Sequence, residues 1–272
     1  MGMLNINTNY GAAFAAKAAK STNSALNTSF ERLSSGSRIN FAKDDAAGQG
    51  IATRLTAQIK SLDMASRNAA DAQAMIDTAD GAHQEVHNML LRMREIAVQA
   101  ANGTLEASDR TALNEEVSQL ETEITAIADN TTFAGKNLGT SQTVVFQVGT
   151  EKSNGALTVT FKDFSITTIS ANVAVNTATN AQNALNTIDN AISTISTRRG
   201  ELGALSNRLS STIANLDNIS VNLSSARGRI QDTDFAQETS NLAKNQIMQQ
   251  AATAMLAQAN ASKGTVLTLI QG

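Results

Sequence analysis

Apolar residues along this chain recur at intervals of three, four and seven, with one interruption that alternates instead. From about Asp44 to Ala100 they include Ile51, Leu55, Leu62, Ala69, Ile76, Val86, Leu90, Met93 and Ala97, the spacing of a single helical face. A shorter tract steps through Leu113, Val117, Leu120, Ile124 and Ile127. Asn102-Gly103 breaks the chain before it, and Ser108 is its expected N-cap. A third tract carries Leu185, Ile188, Ile192, Ile195, Leu202, Leu209, Ile213, Leu216, Leu223 and Ile230, mostly at heptad intervals, with a slip from Leu205 to Ile213 that reads as a stutter. A helix of about 45 residues extends roughly 70 Å, so these helices must lie side by side, each burying a narrow seam. Between Phe133 and Ile169 the period shortens. Thr143–Val148 and Ala156–Phe161 are β-branched and aromatic-rich, joined by Gly149–Gly155 as a hairpin, with Phe164–Ile169 as a third candidate strand. The expected fold is mainly α: a long antiparallel helical rod or coiled-coil bundle with a small β-hairpin region at about 133–170.

The two ends are also helical in spacing, with Phe14, Ala18, Leu26, Phe30 and Leu33 at the front and Leu242, Ile247, Ala251, Met255 and Ala259 at the back. Their polar faces are unusual. Residues 1–30 carry only Lys17 and Lys20 as charges, and residues 245–272 only Lys263. Asn, Gln, Ser and Ala stand where a free amphipathic helix places charge. Such helices bury too little alone to offset the entropy of ordering them, so the ends are expected to be disordered in a lone chain and to fold between neighbours.

Composition fits long helices. The 272 residues include 45 Ala and no Pro, so side-chain entropy loss is small and nothing breaks the hydrogen-bond ladder. Cys is absent, which excludes disulfides, thiolate metal sites and cysteine nucleophiles. Aromatic residues make up 3% of the chain and Trp is absent, too little bulk for the usual enzyme pocket. The net charge of −3 argues against nucleic-acid binding. Apolar runs such as Ala12–Ala16 fall far short of a bilayer's roughly 20 residues, and the start does not read as a secretory signal.

Candidate chemistry is sparse. His83 and His87, four apart, have a metal-binding spacing, but His-Gln-Glu-Val-His sets the Glu one place off the zinc-protease motif, and the pair reads as exposed or seam-edge. Asp44-Asp45 reads as a helix start rather than a carboxylate dyad. Gly48-Gln49-Gly50 follows no strand and is not a dinucleotide loop. Arg198-Arg199 and Arg227 with Arg229 read as solvated faces or internal ion pairs, and Glu115, Glu116, Glu121 and Glu123 as a solvated or inter-subunit face. No catalytic, cofactor-binding or metal-binding residue is assigned.

Longer motifs are more telling. Glu31–Asn40, Ala42–Gly48 and Ile51–Arg54 together resemble the N-terminal segment of bacterial flagellins, as does the opening Ile6-Asn7-Thr8-Asn9. Arg229–Ala236, Gln246–Ala251 and Leu256–Asn260 resemble their C-terminal pattern. Phe41 and Gly228 depart from it, where small residues and Ser respectively are usual. The resemblance implies a filament subunit for motility, exported unfolded by the flagellar type III system and located outside the cell. It implies an inner-tube helix at 1–40, outer-tube helices over 41–175 with the hairpin, a C-terminal rod helix at 176–233 and a second inner-tube helix at 234–272. Implied partners are further copies of the chain, the flagellar cap and hook-associated proteins, and an export chaperone.

On this reading Leu26, Leu33, Leu242, Ile247 and Leu256 pack the inner tube, while Arg32, Arg38, Asn40, Asp44, Asp45, Arg54, Arg229, Asp232 and Asp234 form a linking region whose buried charges pair with one another. Leu91–Gln99 resembles the segment by which flagellins engage a flagellin-sensing Toll-like receptor, with Arg92, Ile96 and Glu116 as candidate contacts. A hook–filament junction protein of the same fold is the alternative.

Overall fold

The structure, a computed structural model, describes residues 8–151, 155–169 and 171–271, with side chains described as far as Ser262. The motif residues Ile6 and Asn7, the loop residues 152–154 and the side chain of Lys263 lie outside the described residues. In chain order the elements are α1 (Tyr10–Ser35), α2 (Ala46–Ala100), α3 (Ala107–Asn130), β1 (Thr132–Phe133), β2 (Lys136–Asn137), β3 (Gln142–Gln147), β4 (Ala156–Phe161), α4 (Ala178–Gln231) and α5 (Phe235–Gln271). The chain forms two compact units, one of residues 58–222 and the other of the residues up to Ala57 and from Leu223 onward.

In the 58–222 unit, α2 and α4 run antiparallel, because partners on α4 fall in number as those on α2 rise. Ser66 meets Asp217, Gln73 meets Ser210, Asp80 meets Arg199 and Arg94 meets Asp189. The seam is regular. On α2 the buried positions Ala65, Ala69, Ala72, Ile76, Ala79, His83, Val86, Leu90, Met93, Ala97 and Ala100 alternate steps of four and three. On α4, Ile188, Ile195, Leu202, Leu209 and Leu216 are buried at intervals of seven, a continuous heptad without the expected stutter. Leu205 and Ile213 suggested the slip, but they flank this row and pack against the hairpin side of the core.

α3 completes a core of Val117 and Ile124 with Leu90, Met93, Ile188 and Ile195. Its start lies two residues before the expected cap. Asp109 accepts the Glu106 N–H at 3.1 Å, so Glu106 rather than Ser108 is the boundary residue. β3 and β4 form the expected antiparallel hairpin, with Val144 opposite Val159. Leu157, Val159 and Phe161 alternate inward against Ile76 and Leu209.

Phe164–Ile169 is not a third strand. The Asp163 carboxylate accepts the Ser165 N–H and the Thr168 hydroxyl, winding the segment into a turn that delivers Phe164, Ile166 and Ile169 to the core. Glu121 also departs from its reading as a solvated or inter-subunit face. Its carboxylate accepts the Val173 N–H at 2.6 Å, and Asn114 accepts that of Val175 at 2.9 Å. Burial raises the Glu121 pKa, and the Val173 bond offsets part of that rise. β1 and β2 form a two-residue hairpin through Ala134 and Gly135, both at positive φ, the mirror-image turn that suits twisted strands.

In the other unit α1 and α5 pack antiparallel, with Asn9 near Ala259 and Arg32 near Glu238. Their contact line passes through Ala15, Thr22, Leu26 and Ser29 on α1 and Glu238 and Ala252 on α5. Among the described residues both ends are helical, over Tyr10–Ser35 and Phe235–Gln271. Each supplies the first seam for the other.

Candidate functional site

The terminal unit holds most of the residues singled out from the sequence. α1 begins at Asn9, whose side-chain oxygen accepts the Ala12 N–H at 3.0 Å while its amide donates to the Ala259 carbonyl. It ends at Gly36, in the left-handed conformation with φ 68°. From there the chain crosses the α4–α5 junction as a short ladder. Thr233 N–H donates to the Gly36 carbonyl at 2.9 Å, Ser37 pairs with Asp232, and Arg38 N–H donates to the Gln231 carbonyl at 2.6 Å.

Arg38, Asp44, Asp45 and Asp234 each bond to the backbone. Arg38 donates through Nη2 to the Ile230 carbonyl at 2.7 Å, at the end of α4, where a cation complements the dipole. Asp44 accepts the N–H groups of Asn40 and Phe41. The Phe41 bond is the main cause holding its carboxyl below the usual range against a partial desolvation cost, helped by the Asn40 bond and by Lys43 and Arg32. Asp45 caps α2 by accepting the Gly48 N–H at 2.8 Å. Asp234 caps α5 by accepting those of Ala236 and Gln237. Asn40 donates to the Ser37 carbonyl, and Arg32 reaches Glu238 at 3.7 Å.

Arg38, Asp44, Arg54, Arg229, Asp232 and Asp234 are exposed. In the single chain Arg38, Asp44, Asp45 and Asp234 bond to nearby backbone groups, and no Arg–Asp ion pair joins the linking residues among those described. Gly48 is required here, since a Cβ would collide with the Asp45 carboxylate and Ile39. At Gly228 a Cβ would lie 2.8 Å from an Asp232 oxygen, so the departure from Ser gives that carboxylate room. Phe41 is exposed, with Lys43 Nζ 4.9 Å from its ring centre.

The terminal helices leave their largest apolar side chains uncovered. Phe14 is 71% exposed, Ile247 66% and Met255 61%, and Tyr10, Phe30, Phe235 and Met248 are also exposed. Of the expected inner-tube residues, Leu26 is buried in the α1–α5 seam, Leu33, Leu242 and Leu256 are half-buried, and Ile247 faces outward. An apolar face this extended, on helices with few charges, marks an interaction surface.

In the 58–222 unit, Arg92 donates to Glu116 from Nε and Nη2 at 2.9 and 2.8 Å and to Glu95 at 3.1 Å. Ile96, a candidate receptor contact on the resemblance, is only 1% exposed in the core. Its place beside Met93 and Ala97 on the seam turns it inward. His83 is also buried, at 2% exposed, with Nδ1 2.7 Å from the Ala79 carbonyl and its ring 4.5 Å from that of Phe164. It is a seam residue. Arg199 pairs with Asp80 at 2.8 Å, as expected of an internal ion pair. No group of three or more metal-ligating side chains occurs among the described residues, and none of their helices is long and apolar enough to cross a membrane.

Comparison with known proteins accounts for this arrangement. The family model of the bacterial flagellin N-terminal helical region matches residues 6–141, and that of the C-terminal helical region matches residues 185–270. A flagellin of Halalkalibacterium halodurans is 46% identical over 245 residues, covering 89% of this chain and 90% of that protein. The flagellin of Bacillus subtilis is 37% identical over 304 residues, covering 98% of this chain and all of that protein. Flagellin A of Vibrio cholerae is 32% identical over 377 aligned residues, covering 98% of this chain and all of that protein; it carries insertions this chain lacks. The crystal structure of Bacillus cereus flagellin superposes with a TM-score of 0.51 at 30% identity, covering 55% of this chain and 88% of that one. A Vibrio parahaemolyticus structure described as a flagellar hook-associated protein gives a TM-score of 0.60 at 17% identity, covering 70% of this chain and all of that one, a likeness of fold alone. The chain belongs to the bacterial flagellin family.

Proposed function

We propose that this chain is a structural subunit of the flagellar filament and that the outer faces of α1 and α5 are its principal contacts with other copies. The observation that carries this reading is the row of uncovered apolar side chains, Tyr10 and Phe14 on α1 with Ile247, Met248 and Met255 on α5. Burying such faces against different surfaces of a neighbour is a heterologous contact that propagates as a helix instead of closing. Apolar burial supplies the drive, at about 25 cal/mol per Å². The inner layer then comprises residues 1–40 and 234–272 and the outer layer residues 41–233, with the junction around Arg38, Asp45 and Asp234 setting the path of the chain between them. Electron microscopy of the purified, polymerised chain tests this: uniform filaments are expected. Short, capped or absent polymers would favour the hook–filament junction reading, whose support is the fold it shares.

Export in an unfolded state, through the flagellar type III route to the cell exterior, accords with a chain that has no Cys to cross-link and terminal helices that each depend on the other. A chaperone covering the apolar face of α5 during that passage, and the cap and hook-associated proteins as its neighbours at the filament ends, complete the set of partners. For the flagellin-sensing Toll-like receptor the available surface is Arg92 and Glu116, together with the exposed Leu91 and Val98. A binding assay on monomer with Arg92→Ala should show a clear loss of affinity; unchanged affinity would remove Arg92 from that role.

A further inference from the structure

Between α2 and α3 the chain turns through Asn102, Gly103 and Thr104, all exposed. The Asn102 side-chain oxygen accepts the Thr104 N–H at 3.2 Å. Its backbone carbonyl accepts from Arg110 Nη2 at 2.9 Å and from the Leu105 N–H at 3.4 Å, while Arg110 Nε donates to the Ala100 carbonyl at 2.9 Å. A Cβ at Gly103 would meet nothing within 4 Å, and among the described residues the Gly103 N–H makes no hydrogen bond.

We propose that this turn is a self-modification site, at which the folded chain converts Asn102 to aspartate and isoaspartate. The Gly103 amide nitrogen loses its proton to solvent base and attacks the Asn102 side-chain carbonyl carbon. A bond forms between them, the side-chain nitrogen takes a proton from solvent and leaves as ammonia, and a five-membered succinimide closes. Water then opens the ring at one carbonyl or the other. Opening at the main-chain carbonyl leaves isoaspartate and opening at the side-chain carbonyl leaves aspartate. The sum is one water consumed and one ammonia released, with no change of oxidation state.

Three features of the turn favour the attack. When the Gly103 nitrogen is deprotonated, its negative charge is shared with the Asn102 carbonyl oxygen, the atom the Arg110 guanidinium already holds by a charge-assisted bond. As the new bond forms, charge develops on the side-chain oxygen, to which the Thr104 N–H already donates. Gly103 has no side chain to obstruct ring closure, and its exposure admits the water that completes the reaction. The product places a carboxylate beside Arg110, and the isoaspartyl form lengthens the main chain by one methylene at the α2–α3 connection. The inference is independent of filament assembly.

The test holds the full-length chain at mildly alkaline pH and follows its peptides by mass spectrometry with separation of the two isomers. Asn102 should convert faster in the folded chain than in the same chain kept unfolded in urea, where no guanidinium is positioned. The chain's other Asn-Gly pair, Asn154-Gly155, serves as an internal reference for the unfolded rate. Arg110→Gln should slow the folded rate roughly tenfold, well short of the effect of a buried oxyanion donor, and leave the unfolded rate unchanged. If the Gln variant loses helicity, Arg110→Lys carries the same comparison, with a smaller slowing because it keeps the charge without the fork. Slower conversion in the folded chain than in urea overturns the proposal, as does a folded rate that is unchanged or faster without Arg110.

Discussion

The α2–α4 pair and the α1–α5 pair share a heptad-like contact line and place their large side chains oppositely. Along α4 the large buried side chains are Ile188, Ile195, Leu202, Leu209 and Leu216, and the outward face is mostly polar, with Ile219 and Val221 exposed towards its end. Along α1 the buried positions are Ala15, Thr22, Leu26 and Ser29, while Tyr10, Phe14 and Phe30 point outward. On α5 an Arg32-paired Glu238 and Ala252 face the partner helix, and Ile247, Met248 and Met255 do not. The first pair buries its heptad row within one chain, although Met64, Leu91 and Val98 on α2 and Ile219 and Val221 on α4 stay exposed. The second uses mostly small and polar residues, with Leu26, for its internal seam and leaves its largest apolar side chains exposed. Equal periodicity thus carries two different instructions, and which side of the seam bears the volume decides between a self-sufficient fold and an assembling one.

The comparison breaks most visibly at the outer face. Ile247→Asp combined with Met255→Asp should abolish polymerisation, because a subunit packed on both sides would bury unpaired carboxylates, while monomer helicity stays close to that of the parent. Sedimentation and circular dichroism measure the two halves of this expectation. Filaments that form normally from the double variant would show that the outer faces are not the contacts.

The converse change is Leu209→Ala, at a fully buried position of the α4 row that also meets the hairpin side of the core. Loss of the side chain plus the remaining cavity should cost about 2–5 kcal/mol in urea unfolding followed by helical signal. Assembly should survive wherever the variant remains folded. A cost well under 1 kcal/mol would mean that the row is less tightly packed than its burial implies.

Much of this division was legible in the spacing of apolar residues. The tracts anticipating α2, α3 and α4 needed only the three–four pattern, and the β3–β4 hairpin needed only its β-branched runs. The failures have physical causes. Phe164–Ile169 is rich in β-branched residues like a strand, but Asp163 captures its backbone and a turn results. Thr132-Phe133 and Lys136-Asn137 are too short to register as strands; the signal was the Ala134-Gly135 pair between them. Ile96 lies next to the seam residues Met93 and Ala97, and its burial follows from that register. At the junction the residue types were legible and their partners were not. A bond from Arg38 to a helix-end carbonyl leaves no mark in the sequence, whereas Asp45 at a helix start does.

That distinction makes the junction a sharper test of coupling between the two regions. Asp45→Ala removes the cap on α2 and should cost about 1 kcal/mol, too little to unfold the monomer. Arg38→Ala removes the bond to Ile230 at the end of α4 and leaves its own backbone bond to Gln231 in place. Both are nevertheless expected to block filament growth on the proposed reading, in which this junction links the inner and outer layers. Normal filaments from both would reduce the junction to local capping.

The smallest expected effect concerns His83, the polar member of the α2 seam. The short contact to Ala79 places the ring proton on Nδ1 and leaves Nε2 buried without a partner. A small cavity of about 30 Å³ beside the ring is lined by Thr160, Phe161, Lys162, Arg198, Glu201, Leu202 and Leu205. Burial is the main cause lowering the pKa below 6.5; the Ala79 carbonyl and Asp80 raise it, and Arg198 and Arg199 lower it further. With the folded value below the unfolded one, the unfolded chain takes up the proton first as pH falls. The stability supplied by neutral His83 is complete above about 6.5, declines as pH falls through the folded value, and then levels off. Urea midpoints taken from neutral to mildly acidic pH should therefore slope downward for the parent chain. In His83→Gln that slope should flatten, even though the substitution lowers stability throughout by leaving an amide imperfectly satisfied. An undiminished slope in the variant would assign the acid sensitivity to the carboxylates and leave His83 a packing residue only.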